Sequence, residues 1–166
     1  MMMISKKMAD RLNLQVNHEH HNAWSYLAMA YWFETAGLKV FAKFFHRQAE
    51  EEREHGEKIA RYLLDQGAPV TLTALESPRT AYKSPLEAVE TFVQLEVKTT
   101  KLVHEIADLA IKENDHATRK FIDWKVEEQV EEVASANDLL AMVKLAGSEG
   151  QLFMLESRVH LMMEGK

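Results

Sequence analysis

The sequence of 166 residues contains no cysteine. This absence excludes disulfides, thiolate metal ligands and cysteine nucleophiles together. No apolar run approaches the roughly 18 residues of a transmembrane helix. The N-terminus, MMMISKKMADRL, has no apolar stretch like that of a secretory signal. These absences favour a cytoplasmic protein that does not enter a membrane.

Basic residues are fewer than acidic ones, and the formal net charge is −6. The chain has no basic tail or basic block, which disfavours nucleic acid as a partner. Its composition, 46% hydrophobic and 28% charged, is typical of a globular protein. Its length suits one domain with a sizeable core, and we expect that domain to span residues 1–166.

Only six glycines and three prolines interrupt the chain, and they are clustered. Between them lie four long segments rich in Ala, Leu, Glu, Lys and Met, which favour helix. These segments cover about 6–34, 38–66, 84–113 and 115–145, and a short fifth segment follows Gly150.

Apolar residues recur at the helical period in each long segment, which predicts amphipathic helices. Ser84-Pro85 is a typical helix start, and Asn114-Asp115 indicates a break followed by a new cap. In the fourth segment the predicted buried stripe consists of Ile122, Val126, Val133, Ala136, Leu140 and Val143.

Four such helices bury their stripes most simply as a four-helix bundle. The short links at Gly37 and Asn114 predict antiparallel neighbours. The link at 67–83 can span roughly 55 Å when extended, enough to run the length of the bundle. It predicts a crossover that makes the second and third helices parallel. The predicted fold class is therefore all-α, with a long crossover and a short fifth C-terminal helix.

Each apolar stripe has a polar gap near the middle of its helix. Glu52 follows Glu19 by 33 residues, and Gln129 follows Glu96 by the same step, so the two helical hairpins resemble a repeat. The middles of four packed helices meet at one height, so we expect these side chains to converge. The residues in the gaps are Glu19, Glu52 with His55, Glu96, and Gln129 with Glu132.

Carboxylates gathered in an apolar core need a counter-charge. Burying one unpaired charge costs several kcal/mol, and neighbouring like charges raise each other's pKa. One or two multivalent cations remove the repulsion. Oxygen-rich ligands with one imidazole suit iron or manganese, with zinc as a competitor.

A less specific interpretation stands beside the metal site. A single glutamate on a stripe is more often a boundary residue that reaches water, and one Glu-x-x-His is common by chance. Four interruptions with matched spacing favour metal. In the acidic run AEEEREHG at 49–56, we expect Glu50 and Glu54 to point away from the core. We also expect three histidines beside Glu19 to lie at the surface: His18, His20 and His21.

With these motifs the sequence resembles non-haem bacterial ferritins over nearly its whole length. The motifs are NHE at 17–19, EEREH at 51–55, LE at 95–96 and WKVEEQVEE at 124–132, with ESP at 76–78 in the crossover. The Glu and Glu-x-x-His arrangement is that of ferritin-like di-iron bundles. The resemblance implies a ferritin-like four-helix bundle that binds iron in both oxidation states.

The resemblance also implies a role for each matching position. Glu19, Glu52 and His55 would hold the first iron, with Glu52 bridging to the second. The second iron would be completed by Glu96 and Glu132, with Gln129 close by. A third iron would be held by Glu51, Glu128 and Glu131, sharing Glu132. Tyr26 matches the family tyrosine beside the centre and Trp124 a nearby aromatic; either could supply an electron.

Two departures from haem-containing bacterioferritins modify this expectation. Gln129-x-x-Glu132 stands where those proteins have a second Glu-x-x-His, which indicates an exchangeable second iron. Arg53 stands where they have the axial methionine, so we expect no haem.

The function that the resemblance implies is ferroxidase activity and iron storage. Ferrous iron would be oxidised by dioxygen or hydrogen peroxide, and the ferric oxide would be kept inside a hollow homo-oligomer, a 24-mer. Apolar residues in the crossover and in the tail at 151–163 favour such assembly.

Two other functions stay open at this point. One is a structural bundle whose central acids are incidental. The other is a related di-iron oxidoreductase, such as a rubrerythrin-like peroxide reductase, against which the lack of cysteine counts. DNA-protecting mini-ferritins place iron between subunits, and the ligand set within one bundle disfavours that arrangement.

Overall fold

The computed structural model describes residues 1–164, which form five α-helices and no strand. The all-α prediction is confirmed, and the predicted segments match the helices closely. The predicted domain also includes residues 165 and 166, which lie outside the described residues. The helices are α1 (Lys6–Thr35), α2 (Lys39–Asp65), α3 (Pro85–Glu113), α4 (His116–Leu145) and α5 (Glu149–Glu164). Within residues 1–164, no helix combines the length and apolarity needed to cross a membrane.

The predicted helix boundaries arise from caps. The Ser84 hydroxyl accepts a hydrogen bond from the backbone N–H of Glu87, 3.2 Å away, which satisfies a free donor at the start of α3. Asn114 ends α3 in the left-handed conformation, with φ of 54°, which asparagine tolerates better than most residues. The carboxylate of Asp115 then accepts from the N–H of Thr118 at 2.9 Å and caps α4.

The direction of the helices follows from contacts between α1 and α3. Arg11 donates to the carbonyl of Leu102 at 2.8 Å, and farther along α1 the hydroxyl of Tyr26 donates to Glu96. As the residue number increases along α1, the residue number of its contact on α3 decreases, so these two helices are antiparallel. Because the short turn at Gly37 also makes α1 and α2 antiparallel, α2 and α3 are parallel, as the crossover predicts.

The crossover lies along α1 and runs in the same direction. The amide of Asn13 donates to the carbonyl of Pro69 at 3.0 Å and accepts from the N–H of Thr71 at 2.7 Å. One helical turn later, the amide oxygen of Asn17 accepts from the N–H of Thr73 at 2.8 Å. Side chains of α1 thus provide hydrogen-bond partners that an extended segment outside a sheet would otherwise lack.

The core consists of two apolar clusters with a polar layer between them. On α1, the cluster containing Val16 is separated from the one containing Tyr26 by buried polar residues. On α3, Phe92 belongs to one cluster and Val103 to the other, with Glu96 buried between them. The polar layer crosses the middle of the bundle, where the sequence predicts convergence.

The buried face of α4 differs from the predicted stripe. Val126 and Val133 are only half-buried, whereas Lys125 and Glu132 are fully buried. Ile122, Ala136 and Val143 are buried as predicted. At the other three turns the inward residue lies one position before the predicted Val126, Val133 and Leu140. This shift brings a lysine into the core.

Helix α5 packs against α2 and α4 at one end of the bundle. Leu152 and Val159 are buried in the apolar cluster. The carboxylate of Glu156 accepts a hydrogen bond from the N–H of Val40 at 2.6 Å. Leu38, at the N-cap of α2, has no capping side chain, so α5 supplies that cap from outside the helix.

Candidate metal centre

The six predicted ligands of the di-iron centre all lie in the polar layer. They come from four helices. They meet because each occupies an inward position near the middle of its own helix. Five are at most 2% exposed, and the side chain of His55 is 12% exposed. Their role as ligands stays a prediction. The six are Glu19, Glu52, His55, Glu96, Gln129 and Glu132.

Three of these residues form a compact group that could hold a metal ion. Glu19, Glu52 and His55 each offer one ligand atom, and these atoms lie within 4.8 Å of one another. The i, i+3 spacing places Glu52 and His55 on the same face of α2, and the hairpin brings Glu19 opposite them.

The other half of the centre is organised by hydrogen bonds to Glu96. One carboxylate oxygen accepts from the hydroxyl of Tyr26. The second accepts from the amide nitrogen of Gln129 at 3.2 Å. The amide oxygen of Gln129 is buried and has no hydrogen-bond partner among the described residues. A buried acceptor without a donor is costly, and a cation would satisfy it.

Lys125 lies inside the centre, which sequence reasoning missed. Its ammonium nitrogen, Nζ, is 2.7 Å from Nδ1 of His55. The same atom is 3.8 Å from a carboxylate oxygen of Glu19 and 3.8 Å from one of Glu52. The expectation that bound metal ions supply the counter-charge for these acids is therefore incomplete, because the chain supplies a cation of its own.

The spacing of this lysine places it on the inward face of α4 but does not by itself predict its burial. Lys125 precedes Gln129 by four residues and Glu132 by seven, which are the helical spacings of one face. A lysine on such a face usually extends to water, so the pattern favours exposure until the acids of the other helices are considered.

Burial dominates the electrostatics of the site. It raises the pKa of Glu19 to about 8, even though Lys125 acts to lower it. Burial also raises the pKa of Glu52 to about 7 and that of Glu96 to about 7. Burial opposes the charge on Lys125, but the surrounding carboxylates, Glu19 first, outweigh it and raise the pKa of the ammonium. The metal-free centre therefore retains protons near neutral pH.

His55 stays neutral in this environment. Burial and then the charge of Lys125 lower the pKa of its imidazole. The ammonium of Lys125 donates to Nδ1, so that nitrogen carries a lone pair rather than a proton. Neutral imidazole is the form that binds metal, and here the lone pair of Nδ1 is engaged by Lys125.

The residues of the predicted third iron site are more exposed. Glu131 is exposed and Glu128 is half-buried, 4.0 Å from Nε2 of His55. Glu51 accepts a hydrogen bond from Arg47 at 2.9 Å. Within residues 1–164, these acids are not part of the compact ligand group. Of the three, Glu128 lies beside the buried centre, and the third site stays a prediction.

Two aromatic residues border the centre. Tyr26 is fully buried, its ring centroid lies 5.1 Å from that of Phe92, and burial raises the pKa of its hydroxyl well above the ordinary value. Trp124 lies 5.4 Å from the ring of His55. Both positions agree with the neighbourhoods expected from the sequence, and their redox roles stay predictions.

The histidine beside Glu19 is not the surface residue that the sequence predicts. His18 is half-buried, and its Nε2 lies 2.9 Å from the hydroxyl of Thr99 on α3. Burial lowers the pKa of His18 to about 4. His20 and His21 are also half-buried. The prediction failed because it counted only the stripe, whereas residues beside the stripe contact the neighbouring helices.

Comparisons with known proteins agree with this geometry. A family model for the ferritin-like domain matches residues 9–146. The bacterial non-heme ferritin of Staphylococcus saprophyticus is 41% identical over 132 residues, 80% of this chain and 79% of that protein. The bacterial non-heme ferritin of Staphylococcus aureus strain MRSA252 is 38% identical over 132 residues, 80% of each.

Solved structures give the same result. The open pore ferritin of the archaeon Archaeoglobus fulgidus has a TM-score of 0.92 and 39% identity, over 94% of this chain and 97% of that one. A humanized archaeal ferritin has a TM-score of 0.91 and 38% identity, over 94% and 96%. Fold and buried acids together define a metal-binding, ferritin-like four-helix bundle. The chain belongs to the ferritin family of iron-storage proteins.

Proposed function

We propose that the protein oxidises ferrous iron at a di-iron centre inside the bundle and stores the ferric product in a hollow shell of 24 chains. The observation that carries the proposal is the convergence of six buried ligand residues from four helices. A structural bundle has no need of so many acids in its core, because each one disfavours folding. Iron is the substrate and cargo of this centre.

The first iron binds to Glu19, Glu52 and His55, whose ligand atoms already lie together. The second iron binds to Glu96 and Glu132, with the free amide oxygen of Gln129 nearby. Glu52 bridges the two ions. One amide in place of a charged ligand weakens the second position, so that the product can leave.

The oxidation balances within the centre. Each of two ferrous ions gives one electron to dioxygen, which takes up two protons and leaves as hydrogen peroxide. With hydrogen peroxide as the oxidant, the same two electrons and two further protons yield water. Anionic oxygen ligands stabilise the higher charge of ferric iron. Iron binding also expels protons from Glu19 and Glu52, because the ligands must be ionised.

Assembly is supported by exposed apolar side chains along α1 and the crossover. Trp24 is 50% exposed, Tyr31 58% and Leu72 68%. Apolar patches of this kind mark protein interfaces. We further propose a cytoplasmic shell without haem. Arg53, which is exposed and pairs with Glu50, stands where haem-containing bacterioferritins have the axial methionine.

A sedimentation experiment tests both parts of the proposal. Metal-free protein is titrated with ferrous salt in air and then centrifuged. We expect oxygen uptake of about one molecule per two irons, and ferric absorbance that sediments with a particle of 24 chains of 19.1 kDa. A protein that sediments as a monomer would contradict the proposed storage function. Iron oxidation no faster than in buffer without protein would contradict the proposed ferroxidase activity.

The third iron site has its own test. Replacing Glu131 with alanine should change the ratio of iron oxidised to oxygen consumed, and it should leave the first turnover nearly unchanged. The reason is that Glu131 is exposed and lies outside the compact ligand group. Stopped-flow absorbance and an oxygen electrode measure the two quantities.

Glu127→Ala provides the control for that experiment, since Glu127 is also exposed and lies on the same helix. An unchanged iron-to-oxygen ratio in Glu131→Ala would reject a third site at this position.

One observation favours a second candidate. Lys125 gives the buried acids a partner without any metal, as in a bundle with a purely structural role. The titration separates the candidates, because a structural bundle would not accelerate oxidation.

A further inference from the structure

Lys125 occupies the place where the first iron would bind. Its ammonium lies within 4 Å of all three residues of the compact ligand group. Lysine ammonium and a metal ion seek the same partners, namely carboxylate oxygens and an imidazole lone pair. The side chain therefore stands in for a cation.

We propose that the ammonium of Lys125 holds the first metal position in the metal-free protein, and that iron binds there only when this side chain moves away toward Glu128. The inference rests on the proposed function. It adds that a side chain of the protein itself, Lys125, competes with the metal for the same ligands. Lys125 is a positioning residue in this account, since it acts on the ligands.

The two cations cannot share the site. Nδ1 of His55 has one lone pair, and it accepts the hydrogen bond from Lys125 at 2.7 Å. A metal bound to that nitrogen would lie at about 2.0–2.1 Å along the same direction. It would also place a divalent ion against an ammonium in a site that excludes water, where repulsion between charges is poorly screened.

The arrangement explains how the metal-free bundle tolerates its acids. Among residues 1–164, Lys125 is the only fully buried lysine or arginine. It faces Glu19 and Glu52 directly, and it also acts electrostatically on Glu96 and Glu132. Removing one partner of a buried charge pair is strongly destabilising, so the lysine contributes to the fold when iron is absent.

A destination for the displaced ammonium lies one turn along α4. Glu128 follows Lys125 by three residues, which places the two side chains on neighbouring positions of the helix surface. The carboxylate of Glu128 is 37% exposed and lies 4.0 Å from Nε2 of His55. The flexible stem of lysine can redirect the ammonium from the centre to this carboxylate.

Zinc binding to the metal-free protein tests the proposal without any redox chemistry. Titration calorimetry would compare the wild type, Lys125→Met and the control Lys120→Met. Lys120 lies on the same helix with 88% of its side chain exposed, so its replacement changes the net charge equally. We expect Lys125→Met to bind zinc about 10-fold more tightly or better, and the control to match the wild type. Equal or weaker affinity in Lys125→Met, or no zinc binding by any of the proteins, would overturn the proposal.

Crystal structures of the wild type supply a second test if Lys125→Met fails to fold. In zinc-soaked crystals we expect Nζ of Lys125 to leave Nδ1 of His55 and to lie near Glu128. Zinc bound by Glu19 and Glu52 with the lysine still hydrogen-bonded to His55 would contradict the inference.

The outcomes also separate this inference from the proposed function. If the wild type fails to oxidise iron while Lys125→Met gains zinc affinity, the proposed ferroxidase function is contradicted and the competition between Lys125 and the metal is supported. If the wild type oxidises iron and all variants bind zinc equally, only the proposed competition between Lys125 and the metal is contradicted.

Discussion

Replacing Glu52 with glutamine should slow the oxidation of ferrous iron by about 100-fold or more, because even the loss of a residue that only orients a metal ligand costs about 10–100-fold. Glu52 is the proposed bridge, and its carboxylate is 2% exposed. Glutamine preserves the volume but offers one neutral oxygen, so it cannot link two cations or balance their charge. Stopped-flow absorbance after mixing with aerated ferrous salt measures the rate.

Glu50→Gln is the matched control for this experiment. Glu50 lies on the same helix, is exposed and pairs with Arg53, so its loss should leave the rate unchanged. The metal-free Glu52→Gln protein should also remain folded, because the native carboxyl already has a pKa of about 7 and carries a proton part of the time. If Glu52→Gln oxidised iron at the rate of the control, the proposed role of Glu52 as an iron ligand would be contradicted.

The second large effect is a loss of stability in the metal-free protein as the pH rises. Unfolded glutamates titrate near 4.5, whereas burial raises the pKa of Glu52 and Glu96 to about 7 and that of Glu19 to about 8. Between those values the folded state binds more protons than the unfolded state. The contribution of these three glutamates to the free energy of unfolding therefore falls from about pH 4.5 to about pH 8, and it exceeds the opposite contribution of the two partly buried histidines, His18 and His55, whose pKa values are lowered.

The three buried groups together make this change on the order of several kcal/mol. In chelator, the thermal midpoint should drop by roughly 5–10 °C between pH 5 and pH 8, measured by scanning calorimetry. Glu19→Gln should flatten the upper part of the profile, because it replaces the group with the highest pKa. A midpoint that rises or stays level over this range would contradict the raised pKa values.

Zinc-loaded protein should show the opposite trend. Its ligands must be ionised to bind, so the added stability should vanish as the pH falls. Comparison of the two profiles in one set of buffers separates the effect of the bound metal from general effects of pH on the protein.

Much of the fold could be predicted from the sequence because its signals are local. Ser84 with Pro85, and Asn114 with Asp115, define helix ends through caps that involve residues at most five apart. The crossover was predictable from its length. The cap that Glu156 gives to α2 was not, since it joins residues 116 positions apart.

The candidate site was predictable where position along a helix decides convergence. Glu19, Glu52 and Glu96 needed only the helical period and the rule that helix middles meet. Lys125 needed more, because its burial depends on acids from three other helices. A long cationic side chain on an inward face can reach water or remain inside, and only the tertiary structure decides between these alternatives.

The position of Lys125 in the sequence means that it is synthesised after the three ligands that it contacts. Glu19, Glu52 and His55 belong to the first two helices, whereas the lysine comes about 60 residues after α2 ends. At translation rates of about 5–20 residues per second, the residues of the first hairpin are synthesised several seconds before Lys125. During that interval the nascent hairpin has its acids and imidazole without the ammonium. If Lys125 competes with the metal as we propose, these three ligands have no such competitor until α4 has been made.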